Sequence, residues 1–179
     1  MRSCWTPPAT PAIWDKANSV LQSPQGTARA LITSSKVRAL CTTDDPADDL
    51  QYHKLLAEDK DFATQVLPTF RPDKILHVEN DEYPVYLQKL GAAAGVYIRT
   101  LDDVKTALKQ RLDYFASCGC RLSDQSFGSP DFTVWDEEAA QEAMNKTLNG
   151  EKPLDYEVAA YQSLLMDLCL GGSTLPGAS

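Results

Sequence analysis

Val37-Arg38-Ala39-Leu40-Cys41-Thr42-Thr43-Asp44-Asp45-Pro46 decides how the rest of this chain is read. A short run that is mostly apolar or β-branched predicts a strand, and Asp44-Asp45-Pro46 ends it. Aspartate followed by proline commonly starts a helix, so Asp45 is read as a cap for a helix that Leu50, Leu55 and Leu56 carry to about residue 58. The same alternation repeats outward. Residues 65–70 predict a second strand, weakened by Pro68, which has no N–H for a ladder. A short helix follows near 83–90. Thr100 and Asp103 then form a near capping box for a long helix striped with Leu101, Val104, Leu108, Leu112 and Phe115, and Gly119 is placed to end it. Residues 120–123 predict a third strand. Upstream, Thr10 can cap a helix with an apolar face of Ile13, Ala17, Val20 and Leu21, and Thr27 can cap another to about Ser34. Downstream, Asp136 caps a helix that stops at Gly150, and residues 154–170 form the last one.

Strands alternating with helices imply βαβ units and a parallel sheet, hence an α/β fold. Only three strands are legible, and a three-stranded parallel sheet has two open edges and needs cover on both faces. Three βα units with long helices are therefore expected to form an incomplete (β/α)8, TIM-type barrel segment over residues 12–170. Irregular tails are expected at 1–11, which holds three prolines, and at 171–179. Uncovered sheet edges would favour self-association.

The composition narrows the partners. A net charge of -8 with scattered lysines and arginines argues against nucleic acid, which needs clustered cations. No apolar run is long enough to span a membrane, and the opening residues lack the apolar core of a secretory signal. Five cysteines at irregular spacing suit reduced thiols rather than a disulfide framework, so a cytoplasmic location is expected.

Chemistry in parallel sheets and barrels gathers at the carboxyl ends of strands. Three such ends are present: Thr42-Thr43-Asp44-Asp45-Pro46, Pro68-Thr69-Phe70-Arg71-Pro72-Asp73-Lys74 and Ser123-Asp124-Gln125. The stretches CTTDDPADDLQYH, VLPTFRPDK and LKQRLDYFASCGCRLSD, in this order, resemble the uronate isomerases, over about residues 12–170. That resemblance implies an amidohydrolase-type barrel that usually holds a divalent metal such as zinc. It also implies interconversion of D-glucuronate and D-fructuronate, or of D-galacturonate and D-tagaturonate. In such an aldose–ketose isomerisation a proton moves between C2 and C1 through an enediolate. The step needs a base, a stabiliser for the oxyanion and a cation for the sugar carboxylate.

Arg71 is the expected carboxylate-binding residue, because a planar guanidinium offers two parallel hydrogen bonds. Asp124 matches the family's S-D motif, and Asp44 occupies a third strand end; both are expected beside the substrate. The departures from the family pattern are equally specific. No H-x-H metal pair exists in the chain, and Gln125 stands where the family usually has a histidine. His53 and His77 fall on or beside helical segments. A zinc site needs three or four protein ligands, and none can be assembled, so no catalytic residue and no metal ligand is assigned. The expectation is a fragment of a uronate isomerase, inactive alone for want of metal ligands. The alternative is a non-catalytic truncated relative acting as an interaction module. Cys118-Gly119-Cys120 lacks the C-x-x-C spacing and is read as structural.

Overall fold

The computed structural model describes residues 9–126 and 133–171, so most of both expected tails lies outside the described residues. The chain divides into two compact units, residues 1–40 with 56–66, and residues 41–55 with 67–179. Strands β1 (Ala39–Cys41) and β2 (Gln65–Leu67) pair with each other. Both are shorter than the sequence pattern suggests.

The first unit holds α1 (Ala9–Leu21), a 3-10 turn (Pro24–Gly26) and α2 (Ala28–Ser34). Thr27 caps α2 as expected, its hydroxyl accepting the Ala30 N–H. Thr10 does not cap α1 but lies within it. The face of α1 expected to be buried is exposed at Ile13, Val20 and Leu21. Arg29 ties this unit together, pairing with Asp59 at 2.6 Å and lying 4.8 Å from the Phe62 ring centroid.

The second unit carries the main core. Its elements are β3 (Thr69–Phe70), α4 (Asp73–Leu76), α5 (Tyr83–Ala94), α6 (Leu101–Ser117), β4 (Leu122–Ser123), α7 (Glu137–Leu148) and α8 (Asp155–Gly171), together with the start of α3 (Gln51–Glu58). Pro68 splits the expected second strand into β2 and β3, which belong to different pairs. The cause is the missing donor of proline. β3 and β4 are parallel, Thr69 opposite Leu122 and Phe70 opposite Ser123. β3 is buried on both sides, whereas both residues of β4 are exposed.

Helix α6 follows the sequence closely. Thr100 and Asp103 form a complete capping box, and Leu101, Val104, Leu108 and Phe115 are buried. Gly119 takes φ +94°, a conformation that favours glycine, two residues after the helix ends. Helix α5 runs four residues past its expected end, through Gly91. A side chain there would put its Cβ 2.6 Å from the Val96 carbonyl, so the glycine serves close packing rather than termination. Tyr83 of α5 and Tyr161 of α8 meet in the core, hydroxyls 2.6 Å apart and rings edge to face. Each satisfies the other's polar end. Cys169 of α8 is also buried in the core, and burial pushes its thiol up to about 12.

The caps of α6 and α7 link folding to pH. Backbone N–H groups of Arg99 and Thr100 hold the Asp103 carboxyl below its ordinary value. The Ala139 N–H and the Tyr156 hydroxyl do the same for Asp136. A carboxyl lowered in the folded state stabilises it above the unfolded value near pH 4 and loses that contribution as pH falls through the folded value. The melting temperature of the full chain, followed by circular dichroism, is expected to fall steadily between about pH 5 and pH 2.5. Asp136→Asn should flatten part of that slope. A melting temperature constant over this interval would contradict the capping account.

Candidate functional site

The strand ends of the second unit lie side by side. The Asp44 N–H donates to the Thr69 carbonyl and the Arg71 N–H to the Asp44 carbonyl, both at 3.0 Å, in a parallel bridge between Asp44 and Phe70. On the opposite edge of the same segment, the Asp124 N–H donates to the Phe70 carbonyl at 3.1 Å. Asp44, Arg71 and Asp124, the three residues singled out from the sequence, are thus brought to neighbouring strand ends.

Arg71 is one-third exposed and lies between two carboxylates. Its Nε donates to Asp73 at 2.8 Å, and its Nη1 lies 3.5 Å from Asp124. The Asp73 hydrogen bond, with the charges of Asp73 and Asp124, pushes the guanidinium further above its already high value. Asp73 also accepts the Ser126 N–H at 2.9 Å. Nη2 has no partner among the described residues, so it is the part of the fork open to a ligand, while Nη1 faces Asp124. Asp124 is half-exposed. Gln125 donates through its amide to the Ser123 hydroxyl.

Asp44 is placed differently. It is buried, and its Oδ2 accepts both the Thr69 N–H at 3.1 Å and the Thr42 hydroxyl at 2.6 Å. His53, on α3, puts Nε2 2.7 Å from the Thr42 hydroxyl and 3.7 Å from Asp44 Oδ1.

The loop after Asp44 departs from the sequence reading. Asp45 does not cap a helix at Pro46. Its carboxylate accepts the Ala47 N–H at 2.9 Å and the Tyr86 hydroxyl at 2.9 Å, and pairs with Lys74 at 3.0 Å. Helix α3 starts only at Gln51, whose N–H is accepted by Asp49. The reason lies across the core in Arg111, a residue of α6 that is only 7% exposed. Its guanidinium donates to the carbonyls of Pro46 and Asp48, both at 2.6 Å, and of Ala93 at 3.0 Å. Carbonyls turned onto Arg111 are withheld from a helical ladder. Tyr114, stacked on Arg111 with its centroid 4.2 Å away, donates its hydroxyl to the Asp49 carbonyl. Sequence reading missed Arg111 because arginine scores as polar. Its position was nonetheless a signal, three residues after Leu108 and four before Phe115, on the apolar stripe itself.

Among the described residues no group of three or more His, Cys, Asp or Glu side chains could hold a metal ion. His77 pairs with Glu79 at 2.9 Å, and among the described residues Cys41, Cys118, Cys120 and Cys169 are free. No helix among the described residues is long and apolar enough to cross a membrane.

The sequence model of the glucuronate isomerase family matches residues 2–172. Uronate isomerase of Caldicellulosiruptor saccharolyticus is 41% identical over 155 residues, 87% of this chain and 33% of the relative. That of Caldanaerobacter subterraneus is 37% identical over the same shares. The chain therefore spans about a third of the length of the curated relatives it matches. The crystal structure of uronate isomerase from Thermotoga maritima superimposes with a TM-score of 0.85 at 29% identity, covering 97% of this chain and 38% of that one. Glucuronate isomerase from Caulobacter crescentus, at 21% identity and a TM-score of 0.77, shares the fold.

Proposed function

This chain belongs to the glucuronate isomerase family, and from that premise we propose that it forms the sugar-acid-binding arc of a (β/α)8 barrel isomerase. The reaction is the aldose–ketose interconversion of D-glucuronate and D-fructuronate, or of D-galacturonate and D-tagaturonate. The observation that carries the proposal is Nη2 of Arg71, without a partner among the described residues, at the junction of three strand ends. In this reading Arg71 takes the uronate carboxylate in two parallel hydrogen bonds. Asp124 accepts a sugar hydroxyl, and Asp44 sets the third strand end beside them. These groups bind and orient the sugar. The base that moves the C2 proton and any divalent metal, such as zinc, would come from residues other than these.

Alone, the 179-residue chain is expected to be inactive. Incubation with either uronate, with and without zinc, should give no ketose above the uncatalysed rate, and turnover would overturn that expectation. Binding is a separate matter. D-glucuronate should shift the Arg71 Nε–H signal in a nuclear magnetic resonance titration of the full chain. Arg71→Lys should weaken binding by roughly ten- to a hundredfold, since an ammonium cannot offer the two parallel hydrogen bonds of the guanidinium. Unchanged affinity in Arg71→Lys would remove Arg71 from the site. A chain that binds no uronate would favour the second reading, a non-catalytic relative serving as an interaction module. That reading is supported by the lack of converging metal ligands among the described residues. Uncovered strand edges, as at exposed β4, would then make self-association its expected behaviour.

A further inference from the structure

We propose that His53 is a positioning residue that sets Arg71 through Thr42 and Asp44. The inference rests on the reading of Arg71 as the residue that takes the sugar carboxylate. Thr42 has one hydroxyl proton and three neighbours for it: Asp44 Oδ2 at 2.6 Å, His53 Nε2 at 2.7 Å and the Leu67 carbonyl at 3.3 Å. A carboxylate can only accept, and the shorter, charge-assisted bond takes the proton. The hydroxyl oxygen therefore turns a lone pair to His53, whose Nε2 must carry the hydrogen. The geometry assigns the Nε2–H tautomer. His53 does not act on Asp44 directly, because 3.7 Å from Nε2 to Oδ1 is too long for a hydrogen bond.

Asp44 then passes the constraint on. Its carboxylate accepts the Thr69 N–H, its own N–H donates to the Thr69 carbonyl, and its carbonyl accepts the Arg71 N–H. Three bonds from one residue fix the backbone on which Arg71 is mounted. The imidazole that begins this relay is nine-tenths covered, with 11% of its side chain exposed. A buried imidazole with one nitrogen committed to a hydroxyl–carboxylate pair orients the next group by where it places its proton.

The test uses the full chain at about pH 8.5, where an ordinary imidazole is neutral. Long-range 15N spectra of the histidine rings should give the Nε2–H tautomer for His53, and the Nδ1–H tautomer would overturn the proposal. His53→Gln keeps a donor nitrogen where Nε2 stands, His53→Asn moves it to where Nδ1 stands, and His53→Leu removes it. His53→Gln should preserve both the Arg71 Nε–H signal and the affinity for D-glucuronate to within about threefold. His53→Asn and His53→Leu should move that signal and weaken binding by up to about tenfold, the loss of one well-placed hydrogen bond. Equal behaviour of all three variants would mean that His53 only fills space, and the proposal fails. A wild-type chain that does not bind D-glucuronate defeats the reading of Arg71 instead. The tautomer and the pattern of Arg71 Nε–H shifts then still decide whether His53 sets Arg71.

Discussion

Arg111→Met is expected to destabilise the chain by about 3–5 kcal/mol, with a fall in melting temperature of roughly 10 °C for a domain of this size. The substitution keeps most of the apolar stem and the volume, so the loss is that of the donors. Three carbonyls, those of Pro46, Asp48 and Ala93, would face the core without a partner. Each unsatisfied buried acceptor costs about 1–3 kcal/mol, less where water can reach it. The stacking of the guanidinium on Tyr114 and Phe115 is lost as well. Arg111→Lys keeps the charge, but a single ammonium cannot span three carbonyls in one plane, so it should recover less than half of the loss. Thermal unfolding followed by circular dichroism measures both. A loss below about 1 kcal/mol for Arg111→Met would mean that the loop after Asp44 holds its shape without this clamp.

Phe70→Ala is expected to be as severe, at about 3–5 kcal/mol. Phe70 is 1% exposed and meets Phe115 edge to face, with ring centroids 5.1 Å apart. Its backbone lies between Asp44 and Asp124, held on both edges, so the surrounding chain has little freedom to close a cavity left beneath it. Phe70→Leu, which retains most of the volume, should cost under about 1.5–2 kcal/mol. Urea unfolding of the two variants separates cavity from chemistry. Equal losses for both would assign the effect to the aromatic contact rather than to volume. Because Arg71 follows directly, the alanine variant should also broaden the Arg71 Nε–H signal.

Much of this arrangement was legible in the sequence, for reasons specific to each element. The capping pair Thr100 and Asp103 with the stripe through Phe115 defined α6, because caps and apolar spacing are local features. Thr27 and Asp136 declared their helices in the same way. The meeting of Asp44, Arg71 and Asp124 also followed, since strand ends of a parallel sheet face one way. The misreadings were long-range in origin. Asp45-Pro46 carries a local helix-start signal that Arg111, more than sixty residues away, overrides by taking the carbonyls. The apolar face of α1 is amphipathic by its spacing, yet spacing does not say whether a partner covers it, and its residues are exposed. The helix expected near 83–90 continues through Gly91, where the close approach of the Val96 carbonyl leaves no room for a side chain. The relay from His53 to Asp44 could not be read at all, because it depends on which way a side chain eleven residues beyond Thr42 points.

The reach of Arg111 has a bearing on the order in which this chain acquires its shape during synthesis. Its partners at Pro46 and Asp48 precede it by 65 and 63 residues. At a translation speed of about 5–20 residues per second, the loop leaves the ribosome about 3–13 s ahead of the side chain that shapes it. Through that interval the aspartates of the loop have no clamp, and its helix-start signal is unopposed. Asp124 follows Arg111 in the chain, so the junction of strand ends cannot be complete before the clamp has been synthesised.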